Sequence, residues 1–238
     1  MCEHYVARAA EPFRLAELWP FTERLERFGL AGFGWGAAWA MDGGGFCSYR
    51  DIRAFRDDGD GQAEVGRVET TAALVHLRRP SKLSTLGIAD TQPFDDPRGR
   101  FSFSHNGDFR EIRAWRRRYL DEDRIHGRAD TEVGARWLED RWDGADPVAL
   151  LKELHEALGG QANLATIESD GAVTSYAGNT ENPLFAFRLG RIGLASTGIY
   201  SLDRSLFRFV APDATERRVV RVGTSVSLDR HGSPTFAL

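Results

Sequence analysis

A cysteine at position 2, directly after Met1, is the first residue whose type and position suggest chemistry. Cysteine is small enough for a methionine aminopeptidase to tolerate, so removal of Met1 would leave Cys2 with a free α-amine. Such an amine has an ordinary pKa of roughly 8 and can take the thiol proton, so that one residue provides both nucleophile and base. The plainer alternative is a small residue at a mobile terminus. Residues 3–9 predict an opening strand that would hold this terminus in place.

Three further patterns place polar residues at the ends of predicted elements. Arg78 follows an apolar strand, Asn106 and Gly107 end the next strand in a His-Asn-Gly turn, and Asp130 precedes an amphipathic helix. Each pattern alone has a plain structural interpretation. An arginine at a strand end is usually a surface residue, Asn-Gly is a common tight turn, and an aspartate before a helix can cap it.

Together with Cys2, these patterns resemble the class II glutamine amidotransferases, the glutaminase family of the N-terminal-nucleophile (Ntn) hydrolases. The chain is most similar to the small stand-alone members. Three more segments resemble that family: the Gly-Trp-Gly run that opens 34–39, the Pro-Phe pair within 91–94, and the strand at 194–197. The resemblance covers nearly the whole chain, which we treat as a single domain, 1–238, that loses Met1.

The resemblance implies a role for each residue of the constellation. Cys2 would attack the side-chain amide of glutamine, or of a γ-glutamyl compound, and form a thioester. The Asn106 side-chain amide and the Gly107 backbone N–H would hold the oxyanion, where the loss of one donor typically costs on the order of 3 kcal/mol. Arg78 would bind the substrate α-carboxylate with both arms of its guanidinium, and Asp130 would bind the α-ammonium.

The segment after Arg78 departs from the family pattern. Many members continue with Trp or Lys, Ala, Thr and His or Gln, whereas this chain has Arg-Pro-Ser-Lys at 79–82. The Ser81 hydroxyl can replace the threonine as a donor to the substrate carboxylate, but Pro80 removes one backbone N–H. Ala129 stands where serine is common. These departures concern the identity of the substrate more than the cleavage chemistry.

The elements that must position these residues follow from apolar periodicity. We predict a helix or a pair of short helices over 14–28, broken at Pro20 and closed near Gly29, and loops at 42–45 and 56–66. Predicted strands and helices cover the following segments: strands at 34–40, 71–77, 101–104, 163–168, 172–176, 184–189, 192–196 and 217–222, and helices at 109–120, 131–142 and 147–158. Strands at both ends with helices between them indicate an α+β fold. The family resemblance implies more, a four-layer αββα sandwich with two antiparallel sheets.

Composition excludes several function classes. The 238 residues carry a formal net charge of −4, which argues against a broad nucleic-acid-binding surface. No stretch approaches the roughly 20 apolar residues of a membrane helix, and the terminus lacks a signal-peptide pattern. With two cysteines, the chain lacks a disulfide framework and metal-site spacing. We therefore expect a cytoplasmic protein without metal or organic cofactor, in which Cys47 is a half-buried small hydrophobic residue.

Several functions remain open at this stage. The chain ends at Leu238 without room for a synthase domain, so we expect either ammonia transfer to a separate partner subunit or hydrolysis of a γ-glutamyl amide in a small metabolite. A non-catalytic scaffold or regulatory subunit with the same fold is the alternative from another class. Hydrolysis of acyl amides such as conjugated bile salts is disfavoured, because apolar substrates would not need Arg78 and Asp130 as a pair.

Overall fold

The strand that follows Cys2 lies inside the larger of two sheets. The computed structural model describes residues 2–80, 85–199 and 204–237. In spatial order, the seven strands of this antiparallel sheet are β11 (Thr215–Val219), β9 (Leu184–Leu189), β10 (Ile192–Thr197), β1 (Glu3–Arg14), β4 (Glu69–Leu77), β2 (Trp35–Ala40) and β3 (Phe46–Asp51). Because β1 has a partner strand on each side, the chain after Cys2 is held, as predicted for the opening strand.

The second sheet is also antiparallel and packs face to face against the first. Its six strands, in spatial order, are β13 (Pro234–Ala237), β12 (Thr224–Leu228), β8 (Val173–Ala177), β7 (Gln161–Glu168), β6 (Phe101–Asp108) and β5 (Phe94–Asp95). Every pairing within it is antiparallel, including the long pairing of β6 with β7.

Alternation along the strands divides the core into three layers. In β1, Tyr5 faces a helix layer while Val6 faces the other sheet, because successive side chains of a strand point to opposite faces. The outer face of the first sheet packs against α1 (Trp19–Gly29), α2 (Gly59–Gly66) and α6 (Phe207–Val210). The second sheet packs against α4 (Asp130–Glu139) and α5 (Pro147–Leu158), and α3 (Arg113–Asp121) packs on α4. The fold is therefore α+β, with the predicted αββα order of layers.

The structure corrects five local predictions. In the segment 14–28, the α-helix begins at Trp19 with Pro20 in its first turn rather than at a break, and Leu15–Leu18 form a 3-10 helix. Residues 59–66 of the predicted loop form α2, whose first turn is capped by the Asp58 carboxylate accepting from Gly61 N–H at 3.1 Å. The His-Asn-Gly sequence lies within β6 rather than in a turn after it, because the pairing with β7 continues to Asp108. The helix expected from residue 109 begins at Arg113. Cys47 is exposed rather than half-buried, because β3 is an edge strand.

Within the residues that the structure describes, no helix combines the length and the apolar character needed to cross a membrane.

Candidate active site

Cys2 lies beside the end of β4 because of the strand register. Glu3 pairs with Leu77, so the residues after β4 run alongside the start of β1. Arg79 N–H donates to Cys2 Sγ at 3.3 Å, and the thiol donates to Arg79 O at 3.6 Å. Burial raises the pKa of the Cys2 thiol, and the Arg79 N–H acts in the opposite direction. A neutral thiol in this setting needs a nearby proton acceptor before it can act as a nucleophile.

The Arg78 guanidinium is buried, with 3% of the residue exposed. Its backbone is fixed by the loop before β2, since Arg78 N–H donates to Gly34 O at 2.8 Å and Arg78 O accepts from Gly32 N–H at 3.0 Å. The Arg78 Nη2 donates to Thr85 O. Its Nη1 is buried and has no hydrogen-bond partner among the described residues. Burial lowers the pKa of Arg78, which is the electrostatic sign of a cation held away from water.

Asn106 and Gly107 approach Cys2 from the second sheet. Asn106 is fully buried, and its Nδ2 donates to the backbone carbonyl of Cys2. Gly107 has a φ of +146°, and a Cβ at this position would lie 1.7 Å from Gln161 O of β7. Glycine is therefore required for the close pairing of β6 with β7 at this point. The side-chain amide of Asn106 and the backbone of Gly107 thus lie side by side next to the nucleophile candidate.

Asp130 is the first residue of α4 and is tied to the end of β6. One carboxylate oxygen accepts from Phe109 N–H at 2.7 Å, and the other accepts from Thr131 N–H at 3.0 Å. The loop that precedes Asp130 is held by Asp90, whose carboxylate accepts from Ala129 N–H at 2.6 Å and also from Arg128 N–H. These contacts fix the Asp130 carboxylate, which is partly exposed, at the end of β6.

One cavity joins most of the residues that the sequence singled out. It measures about 360 Å³, and its lining includes the following side chains and backbone segments: Cys2, Arg78, Pro80, Asp90, Gly107, Phe109, Ile112, Arg128 and Asp130. Asn106 lies behind this lining, in contact with Cys2. Ser81 lies outside the described residues. The cavity therefore presents a thiol, a cation and a carboxylate to the same space.

The arrangement can do chemistry of a particular kind. The Cys2 sulfur can attack an electrophilic carbon, Asn106 and Gly107 can offer N–H donors to developing negative charge, and Arg78 and Asp130 can bind a zwitterion. Among the described residues, no three histidine, cysteine, aspartate or glutamate side chains are grouped so that they could hold a metal ion.

Sequence reasoning missed the groups that hold these side chains. Asn163 of β7 donates to Asn106 Oδ1 at 3.0 Å, and Asp90 holds the loop before Asp130. An asparagine inside an otherwise apolar strand was a usable signal, because a buried amide must find partners. Asp90 gave no local signal, since its partners lie almost forty residues further along the chain.

Comparison with solved structures finds the same fold in glutamine amidotransferases. The glutamine phosphoribosylpyrophosphate amidotransferase from B. subtilis is 18% identical, with a TM-score of 0.75 over 99% of this chain and 49% of that one. A second structure, an allosteric regulatory enzyme of purine biosynthesis, is 15% identical, with a TM-score of 0.77 over 99% of this chain and 48% of that one. This chain therefore spans about half the length of both proteins.

A shorter structure matches over nearly its full length. The glutamine aminotransferase class-II domain protein from Silicibacter pomeroyi is 18% identical, with a TM-score of 0.63 over 98% of each chain. No protein-family model matches the sequence, and the comparison with curated proteins finds no match. The likeness therefore rests on three-dimensional structure: the chain has the fold of the class II glutamine amidotransferases, a sandwich of two antiparallel sheets between helix layers.

Proposed function

We propose that this chain is a cysteine amidohydrolase of the glutamine amidotransferase type, built as a single domain. The observation that carries the proposal is the cavity shared by the thiol of Cys2, the guanidinium of Arg78, the backbone of Gly107 and the carboxylate of Asp130. A thiol beside a paired cation and anion suits a substrate that is an α-amino acid with an electrophilic side chain. Glutamine and its γ-glutamyl amides have this chemistry.

The proposed reaction begins with removal of Met1. The α-amine of Cys2 then takes the thiol proton. This base is required because burial raises the pKa of the thiol and keeps it neutral. The thiolate attacks the amide carbon, and the resulting oxyanion accepts hydrogen bonds from Asn106 Nδ2 and Gly107 N–H. The C–N bond breaks as the amine leaves with the proton. Water then hydrolyses the thioester and releases a γ-carboxylate with the thiol restored.

The substrate head group is proposed to lie between Arg78 and Asp130. The buried Nη1 of Arg78, which has no partner among the described residues, is the donor available to the α-carboxylate. The Ser81 hydroxyl is proposed as a second donor to the same α-carboxylate. The Asp130 carboxylate, already aligned by Phe109 N–H, would bind the α-ammonium. Both ends of an amino acid are then recognised by groups of opposite charge.

A second candidate reaction is the hydrolysis of a substituted γ-glutamyl amide in a small metabolite. Two apolar side chains in the cavity lining, Phe109 and Ile112, favour this reaction. They could contact an organic substituent on the leaving amine, whereas ammonia offers them nothing to contact. With glutamine as the substrate, ammonia would instead pass to a separate partner subunit.

The decisive experiment is glutamate release by purified protein whose loss of Met1 has been verified by intact mass. Glutamine and a panel of N-substituted γ-glutamyl amides serve as substrates. We expect Cys2→Ala to abolish release, whereas Cys47→Ala, which changes an exposed thiol on an edge strand, should keep it. Full activity of Cys2→Ala, or of protein that retains Met1, would contradict the proposed mechanism. A protein that cleaves no substrate in the panel would support the scaffold alternative.

A further inference from the structure

The side chain of Asn163 has an orientation that can be assigned from its backbone partners. Its Oδ1 accepts from Asn179 N–H at 3.3 Å, and its Nδ2 donates to Asn182 O at 2.7 Å. A backbone N–H can only donate and a carbonyl can only accept, so the two ends of this amide cannot be exchanged. Carboxamide oxygen and nitrogen have nearly the same shape, and hydrogen-bond partners are what distinguishes them.

The orientation of Asn163 determines the orientation of Asn106. The two residues are directly opposite each other in the pairing of β6 with β7, and both are fully buried. Asn163 Nδ2 donates to Asn106 at 3.0 Å, so the atom that faces it must be the acceptor, Oδ1. The Nδ2 of Asn106 is therefore turned the other way, where it donates to the carbonyl of Cys2.

The acceptor carbonyl of Asn182 is itself held in place by the strand that carries the nucleophile. Asn182 Nδ2 donates to both carboxylate oxygens of Glu3, at 3.2 and 3.1 Å, and Asn182 Oδ1 accepts from Gly198 N–H at 3.2 Å. Glu3 is fully buried at the start of β1, next to Cys2. The hydrogen bonds thus run from Glu3 through Asn182 and Asn163 to Asn106 without leaving the interior.

We propose that Asn163 is a positioning residue for Asn106. It keeps the Nδ2 of Asn106 directed toward Cys2, where the amide carbonyl of the substrate is proposed to react. This inference rests on the proposed amide hydrolysis. With Asn106 turned around, its oxygen would face the developing oxyanion, and a hydrogen-bond donor would be replaced by a repelling acceptor. Packing alone cannot prevent this reversal, because the reversed amide occupies almost the same volume. The donor from Asn163 to Oδ1 prevents it, together with the Cys2 carbonyl that accepts from Nδ2.

Two variants of this residue test the inference. Asn163→Asp keeps the shape but, when ionised, has no donor for Asn106 Oδ1. We expect its kcat at about pH 8 to fall on the order of 100-fold, the cost of one lost oxyanion donor, with KM changed by less than about threefold. As the pH is lowered, the protonated carboxyl regains one O–H donor in place of the two N–H donors of Asn163, which bind Asn106 Oδ1 and Asn182 O. The ratio of variant to wild-type kcat should therefore rise, but only in part. Asn163→Leu should lose the same activity at every pH.

Two controls separate positioning from a general loss of structure. Ile167→Ala changes a buried residue on the same face of β7, and it should lower the melting temperature without changing kcat. Alkylation of Cys2 by iodoacetamide forms no oxyanion, because iodide leaves from a tetrahedral carbon. Its rate should therefore be the same in Asn163→Asp and in the wild-type protein.

Three results would overturn the inference. They are wild-type kcat in both Asn163 variants, a loss of kcat in Asn163→Asp that does not vary with pH, and a parallel loss of Cys2 alkylation. If the wild-type protein shows no Cys2-dependent hydrolysis, the proposed function fails and this inference fails with it. If hydrolysis depends on Cys2 but not on Asn163, only the positioning role is rejected.

Discussion

Replacement of Gly107 by alanine would put a methyl group where the neighbouring strand already lies. The added Cβ would be 1.7 Å from Gln161 O and 2.6 Å from Gln161 C, both of which are backbone atoms of β7. No rotation of a side chain can relieve that overlap, so the pairing of β6 with β7 must open locally. A non-glycine residue at this positive φ adds roughly 1–3 kcal/mol of backbone strain.

The displacement falls on the backbone that is proposed to stabilise the oxyanion. If the Gly107 N–H moves out of reach of the reacting oxygen, the loss is about 3 kcal/mol, which corresponds to on the order of 100-fold in kcat. Arg78 lies on another element, and Asp130 is held by Thr131 N–H of α4 as well as by Phe109 N–H, so KM should change less than kcat. We therefore expect Gly107→Ala to fold with reduced stability and to hydrolyse its substrate at about a hundredth of the wild-type kcat.

The assay is steady-state glutamate release together with a thermal melt for each variant. Gly99→Ala is the matched control, because Gly99 also has a positive φ, +69°, but a Cβ there would meet nothing within 4 Å. It should lose a modest amount of stability and keep its kcat. Wild-type kcat in Gly107→Ala, or an equal loss in both variants, would refute the reasoning about this backbone.

Two further predictions concern charge. In the structure, Nη2 of Arg78 holds Thr85 O and Nη1 is left for the substrate carboxylate, and a lysine ammonium in Arg78→Lys cannot span both positions. Asp130→Asn loses the negative charge. Each change should lower kcat/KM by at least about tenfold, or about 1.4 kcal/mol, in the same glutamate assay. Unchanged values would mean that the head group binds elsewhere. Burial raises the pKa of Glu3 from 4.5 to about 7. The folded chain then keeps a proton that the unfolded chain releases. The Glu3 contribution to the free energy of unfolding is therefore full below pH 4.5 and falls by about 3 kcal/mol as the pH rises to 7. Burial also raises the pKa of Glu168 to about 7, so Glu3→Gln should still lose some stability over this range. Denaturant titrations at both ends of the range should show a loss smaller by about 3 kcal/mol in Glu3→Gln than in the wild-type protein. An equal loss in both would contradict the assignment.

Apolar periodicity predicted most of the elements, because buried faces leave a repeating pattern in the sequence. Several elements were not predicted: the edge strand β3, the short β5 and α6, the C-terminal strands β12 and β13, and α2. Helix α2 is the clearest case, because its glycine-containing sequence has low helix propensity. Its cap, Asp58, is held by tertiary contacts, since its carboxylate accepts from Trp35 Nε1 at 2.9 Å and from the Tyr49 hydroxyl at 2.7 Å. Those partners lie elsewhere in the chain, so the local sequence around Asp58 could not predict these contacts.

The extent of β6 shows the same limit. Asn-Gly is a frequent turn sequence, and the strand was therefore expected to end there. The register with β7 instead carries the strand through Gly107 to Asp108, and the positive φ of the glycine is used for a close approach between strands. Turn propensity is a weak local preference, and pairing along a whole strand outweighs it.

The sequence by itself determined which reactive groups the chain has and their order: a thiol at position 2, then Arg78, Asn106, Gly107 and Asp130. Local motifs of this kind are visible because each lies at the end of an element or beside a glycine. Only the tertiary structure decided how those groups are held. The bond from Asn163 to Asn106 joins residues 57 positions apart, and the bond from Ala129 to Asp90 joins residues 39 positions apart. Hydrogen bonds between such distant groups depend on strand register and packing, so they leave no periodic trace in the sequence.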